Sequence, residues 1–134
     1  MSMSNASETA LLKLLFNNTD WANVGDAAGL QNSAAAGSFY VALHTADPTD
    51  AGNQTTSEAS YTGYARVAVA RTGGGWTVSG NQVSNTATVQ FGECTAGSAT
   101  VTHFSVGLLA SGAADILYSG ALSASRAVSA GITP

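Results

Sequence analysis

The sequence predicts a mainly β protein: one domain, an antiparallel β-sandwich of jelly-roll or small-barrel type, with a short N-terminal helix. Three observations carry this expectation. Apolar-alternating runs recur from residue 38 onward, Gly, Asn, Asp and Ser clusters punctuate them, and only one segment near the start has helical periodicity. A chain of 134 residues suits a single domain that hides about two-thirds of its unfolded surface. The expected organisation is a helical segment at 1–17, a long loop at 18–37 and a β-sandwich at 38–134.

Asn5 and Glu8 are spaced as a capping pair ahead of ALLKLLF, which predicts a helix from Ser7 to Asn17. Leu11, Leu14 and Leu15 fall on one face, with Leu12 and Phe16 on its flank. So short a helix is marginal alone and needs a surface to dock on, in its own domain or on a neighbouring subunit. The stretch from Asn18 to Gly37 is mostly small and polar, a long loop with Trp21, Val24 and Leu30 as its only large apolar anchors.

After Gly37, Phe39, Val41 and Leu43 alternate with Tyr40, Ala42 and His44, predicting a strand with one strongly apolar face. Asp47 to Gly52 has turn chemistry, and Tyr64 to Arg71 reads as the next strand. Gly73-Gly74-Gly75 ends it before Trp76, and Gly80-Asn81 has hairpin-turn composition. The clearest alternation follows from Gln82 to Phe91, with Val83, Ala87, Val89 and Phe91 facing one way. Further strands are expected at Thr100–Leu109, Asp115–Leu122 and Ala124–Ser129.

Composition narrows function. Only 9% of residues are charged, against roughly 25% in an ordinary soluble domain. Four cations (Lys13, Arg66, Arg71 and Arg126) face eight acids, which argues against nucleic-acid binding. Disorder of the charged type is excluded because hydrophobic residues make up 45% of the chain. A surface this poor in charge has little to oppose self-association, so a homo-oligomer is expected. Cys94 is alone and forms no internal disulfide. The start MSMSNASETA lacks a signal peptide, and no apolar run reaches membrane-spanning length, so synthesis and retention in a cytoplasm are expected.

Reaction chemistry is sparse, and no catalytic, cofactor-binding or metal residue is expected. His44 and Asp47 lie three apart, which on a strand puts them on opposite faces, so His44 reads as a satisfied strand-end histidine. His103 has no acid nearby, Cys94 sits in no thiol-enzyme signature, and no closely spaced ligand pairs suggest zinc. Gly73 to Gly80 leads into a strand without a Lys-Ser/Thr, so it is a turn and not a phosphate loop. Tyr40, Tyr61, Tyr64, Trp76 and Tyr118 are scattered, which favours packing over a sugar platform. A small carbohydrate-binding module is the alternative from another functional class.

Three phrases, in order, carry a resemblance: YVALHTADPTDAGNQTTSEASYTGYARVAVAR, GWTVSGNQVSNTATVQFGECTAGSATVTHFSVG and LYSGALSASRAVSAGITP. Together they resemble the small tailed-phage virion proteins labelled Gp80-like or tail-fibre-like, over about Leu11 to Pro134. The resemblance implies a non-enzymatic virion component. It is expected to be a capsid decoration (cement) protein on the major capsid protein lattice, or alternatively a tail-fibre or tail-tip component contacting tail proteins and the host surface. The family pattern continues past the late Gly-x-Thr-Pro phrase, so a final strand is expected to be missing, truncated or supplied by a neighbouring subunit. Leu11, Leu14, Leu15 and Trp21 are the expected partner contacts, without cofactor, nucleic acid or membrane.

Overall fold

The computed structural model describes residues 1–134. It is mainly β: α1 (Asn5–Asn17) precedes β1 (Ser38–His44), β2 (Val67–Ala70), β3 (Trp76–Ser79), β4 (Gln82–Asn85), β5 (Ser98–Gly107) and β6 (Ile116–Ser129). The strands form a four-stranded sheet in the order β2-β1-β5-β6 and a two-stranded sheet, β3-β4. No helix is long and apolar enough to cross a membrane. The chain divides into two compact units, Met1–Ser38 with Val69–Thr88, and Phe39–Ala68 with Val89–Pro134.

The first unit is a helix on a hairpin. Ser4, not Asn5, caps α1: its extended backbone lets its hydroxyl accept from the Ser7 N–H, so the helix begins two residues before the predicted start. At the other end Asn18 adopts the left-handed conformation and its N–H closes on the Lys13 carbonyl. The buried stripe is Leu12 and Phe16, one turn apart, while Leu11, Leu14 and Leu15 are half-buried. Phe16 meets Trp76 edge-on at 5.0 Å. Thr9 Oγ1 donates to the Gly80 carbonyl at 2.7 Å and Asn17 Nδ2 to the Trp76 carbonyl at 2.9 Å, so both ends of the helix are tied to the hairpin.

Gly80 and Asn81 make the expected two-residue turn, pairing Ser79 with Gln82 and Trp76 with Asn85. The strand predicted to run to Phe91 stops at Asn85, however. Asn85 Nδ2 bonds forward to the Ala87 carbonyl, and Thr86 turns onto the glycine run through Gly75 and Gly73 carbonyls. Local side-chain closure therefore outcompetes the alternating pattern.

In the second unit β1 pairs antiparallel with β5, and β5 with β6. Val41, Ala42, Leu43 and His44 are all buried, so β1 is covered on both faces rather than the one that its alternation implied. The two strands expected at 115–122 and 124–129 are one strand, β6. The larger of its two irregularities falls at their predicted break, where Thr102 alone stands opposite Leu122, Ser123, Ala124 and Ser125, and the smaller leaves Leu117 unmatched. Residues 91–97 form no regular strand, yet they are stitched on both sides. Thr62 exchanges bonds with Thr95 and Ala96, while Phe91 and Cys94 pair with Pro134, Ile132 and Gly131. A Cβ on Gly63 would lie 2.2 Å from the Glu93 carbonyl oxygen, and one on Gly92 would lie 2.1 Å from that of Gly63. Only glycine permits this approach.

Candidate functional site

The four residues expected to make partner contacts all lie in the first unit. Leu14 and Leu15 contribute more than side chains there. Their carbonyls, with that of Ala36, accept from the Arg71 guanidinium, which neutralises the carbonyl end of the helix and ties down the end of the following loop. Trp21 is half-buried and exchanges two 2.9 Å backbone bonds with Leu30, whose side chain is exposed. The rest of the loop is closed by its own polar side chains. Asn18 bonds both backbone groups of Ser33, Asp20 accepts from Asn32, and Asp26 accepts from Ala28 and Gly29.

The more strongly organised surface lies in the second unit, and sequence reasoning missed it. The β5–β6 connection, residues 108–115, carries Leu108 and Leu109 side by side, 41% and 52% exposed. Its backbone, in contrast, is anchored by buried groups. Gln54 is fully buried, and its Oε1 accepts from the Leu108 and Leu109 N–H groups at 3.1 and 3.0 Å. The Gln54 N–H donates to the Ala114 carbonyl at 2.8 Å. Gly107 makes room for this side chain, since a Cβ there would lie 2.2 Å from Gln54 Cδ.

Arg66 supplies the second anchor. Its Nη1 donates to the Leu109 carbonyl at 3.0 Å and its Nη2 to the Gly112 carbonyl at 2.9 Å. The same guanidinium forks onto Glu58, with Nε–Oε1 at 2.7 Å and Nη2–Oε2 at 2.8 Å. The hydrogen bond that Arg66 donates to Glu58 raises its pKa further above the ordinary value, so the cation stays charged despite burial. Tyr64 extends the network by donating to Glu58 and accepting from the Leu43 N–H, and burial pushes its phenol well above the usual range. A buried ion pair needs its remaining donors satisfied, and here the two loop carbonyls satisfy them. Two exposed leucines thus ride on a backbone held by buried charge. One signal was visible in the sequence, an arginine inside an apolar run, but nothing local paired it with Glu58 or with a loop more than forty residues away.

The histidines and the cysteine remain to be placed. His44 is fully buried: its Nδ1 is 2.8 Å from the Thr56 carbonyl and its Nε2 is 2.8 Å from Ser105 Oγ. The carbonyl fixes the proton on Nδ1, leaving Nε2 to accept from the serine. Burial lowers the His44 pKa, partly countered by the Thr56 bond and by Glu58. This is the hydrogen bond of a serine nucleophile and its base, but both residues are wholly buried and the acyl group of a substrate has no approach. Asp47 accepts from the Thr49 N–H rather than from His44. His103 bonds Thr102, and Cys94 is buried with its thiol on the Ala96 and Gly97 carbonyls. No three His, Cys, Asp or Glu side chains gather to hold a metal ion. The aromatics divide as packing groups: in one unit Tyr64 stacks on Phe91 and meets Tyr61 edge-on, and in the other Phe16 meets Trp76 edge-on.

No curated protein matches the chain. Residues 2–134 match the family described as the podophage GP4 fiber I protein gp80. That match covers both units, the buried anchors and the apolar loop they hold. The chain therefore belongs to the Gp80 family of phage virion structural proteins.

Proposed function

We propose that this chain is a subunit of a phage fibre that works by contact and carries out no reaction. The observation behind contact is the pinned loop at residues 108–115, which offers Leu108 and Leu109 to a neighbour. A surface already held in its bound shape loses little freedom on docking, so more of the apolar gain appears as affinity. A subunit that binds only the assembled neighbour stabilises the assembly by linkage. Placement in the fibre rests on the description of the matched family. Leu11, Leu14, Leu15 and Trp21 are secondary contacts in this reading, since each keeps part of its side chain at the surface.

A capsid decoration role is the second reading. It is favoured by a sole helix of 13 residues and the absence of the heptads or repeats that would build a shaft. Quantitative mass spectrometry of purified virions separates the two. A copy number far below that of the major capsid protein supports the fibre, and a comparable number supports decoration. Absence from virions would overturn both. At the residue level, Leu108→Lys with Leu109→Lys should shift stability by no more than about 0.5 kcal/mol, as exposed sites do, yet abolish incorporation into virions. Normal incorporation of that variant would remove the loop from the proposal.

A further inference from the structure

β6 is the last strand of its sheet, with no strand beyond it. At 14 residues it is long for an edge, and edges of this kind template pairing with another chain unless they are blunted. The blunting devices are unevenly spread. The irregularity at Leu122–Ser125 bends the strand, and Arg126, its only charged residue, lies just beyond. The first half, Ile116 to Ala121, is blunted less: it contains no charge and no proline, its one irregularity is Leu117, left unmatched between Ile116 and Tyr118, and it runs in continuous register against β5 from Tyr118 to Ala121.

The sequence of that half, Ile-Leu-Tyr-Ser-Gly-Ala, places three large residues before three small ones. Laid antiparallel against itself, with the two-fold axis between Tyr118 and Ser119, it matches Ile116 with Ala121, Leu117 with Gly120 and Tyr118 with Ser119. Every large side chain then meets a small one, and no charges oppose each other. A parallel copy in register would set large against large and leave the small residues facing gaps. Gly120 is also held small from within, because a Cβ there would lie 3.1 Å from the Phe104 ring.

The geometry points to an antiparallel pairing of Ile116–Ala121 with the same segment of a second copy, joining two four-stranded sheets across an isologous interface. The partner is this chain itself, because the segment complements its own reverse and has no charge to select another. This pairing does not depend on whether the protein stands in the fibre or on the capsid.

The test is the oligomeric state of the full chain by native mass spectrometry and light scattering over a concentration series, with hydrogen exchange on the same samples. Wild type should form a dimer whose amides at 116–121 are protected and lose that protection on dilution, while those at 126–129 do not change. Ser119→Lys with Ala121→Lys should give a monomer that melts where wild type melts once diluted to the monomer. A monomer at every concentration, or an oligomer without protection at 116–121, would overturn the pairing. Should the lysine variant misfold, the wild-type exchange pattern decides alone.

Discussion

The loops at 18–37 and 108–115 are both irregular connections, but they are held in opposite ways. The first is closed by its own residues: Asn18, Asp20, Asp26 and Asn32 bond backbone groups within it, and Trp21 pairs with Leu30. Most of its bonds are exposed, where water competes for each partner. The second has almost no side chains able to hold it and depends on Gln54 and Arg66, which are buried and reach it from far away in sequence. A self-closed loop tolerates damage to any one bond. A loop held by buried groups loses its shape when one anchor goes, because the anchor and its partners are stranded together.

The sharpest way to break this contrast is Glu58→Gln. It removes the charge that Arg66 was buried against, and a loss of about 3–5 kcal/mol is expected in urea unfolding, with faster hydrogen exchange at 108–112. Unchanged stability would show that the ion pair is not what holds the loop. Gln54→Ala comes next. It strands the Leu108 and Leu109 N–H groups and should cost about 1–3 kcal/mol, with added exchange confined to the same loop.

His44 tests the buried network by pH. Its folded pKa lies below the unfolded value of about 6.5, so the unfolded chain binds the proton first. Its contribution is fully present above that pH and is lost as pH falls from there toward the lowered folded value, with a slope of at most about 1.4 kcal/mol per pH unit. Urea midpoints measured from about pH 8 down to 5 should fall in wild type and flatten in His44→Gln. An equal slope in both proteins would assign the dependence to other groups. The smallest effect is expected in the self-closed loop. Asp26→Ala removes two exposed bonds and should change stability by less than about 1 kcal/mol, leaving exchange at 108–115 untouched.

Much of the fold was legible because short-range rules governed it. Helix periodicity placed α1, Gly80-Asn81 placed the β3–β4 turn, and alternation with turn residues announced a β-rich chain. The errors fell where a local pattern met a stronger constraint. Gln82 to Phe91 alternates well, yet Asn85 and Thr86 turn the chain away after four residues. The apolar face chosen for the helix was off by one position, because which leucines are buried depends on the surface they meet, and Phe16 meets Trp76. The apolar loop was not legible at all, since Leu108 and Leu109 read as the end of a strand.

Composition and periodicity alone determined the class of fold and the scarcity of charge, and three phrases in order along the chain carried the family resemblance. Only the tertiary structure decided that Arg66 pairs with Glu58, that His44 is sealed against Ser105, and that Leu108 and Leu109 stand outward on a fixed backbone. Those facts depend on groups brought together by the fold, eight residues apart for Arg66 and Glu58 and more than forty for the others. A buried charge or hydrogen-bond donor takes whichever partner the fold delivers, and no local spacing encodes that choice.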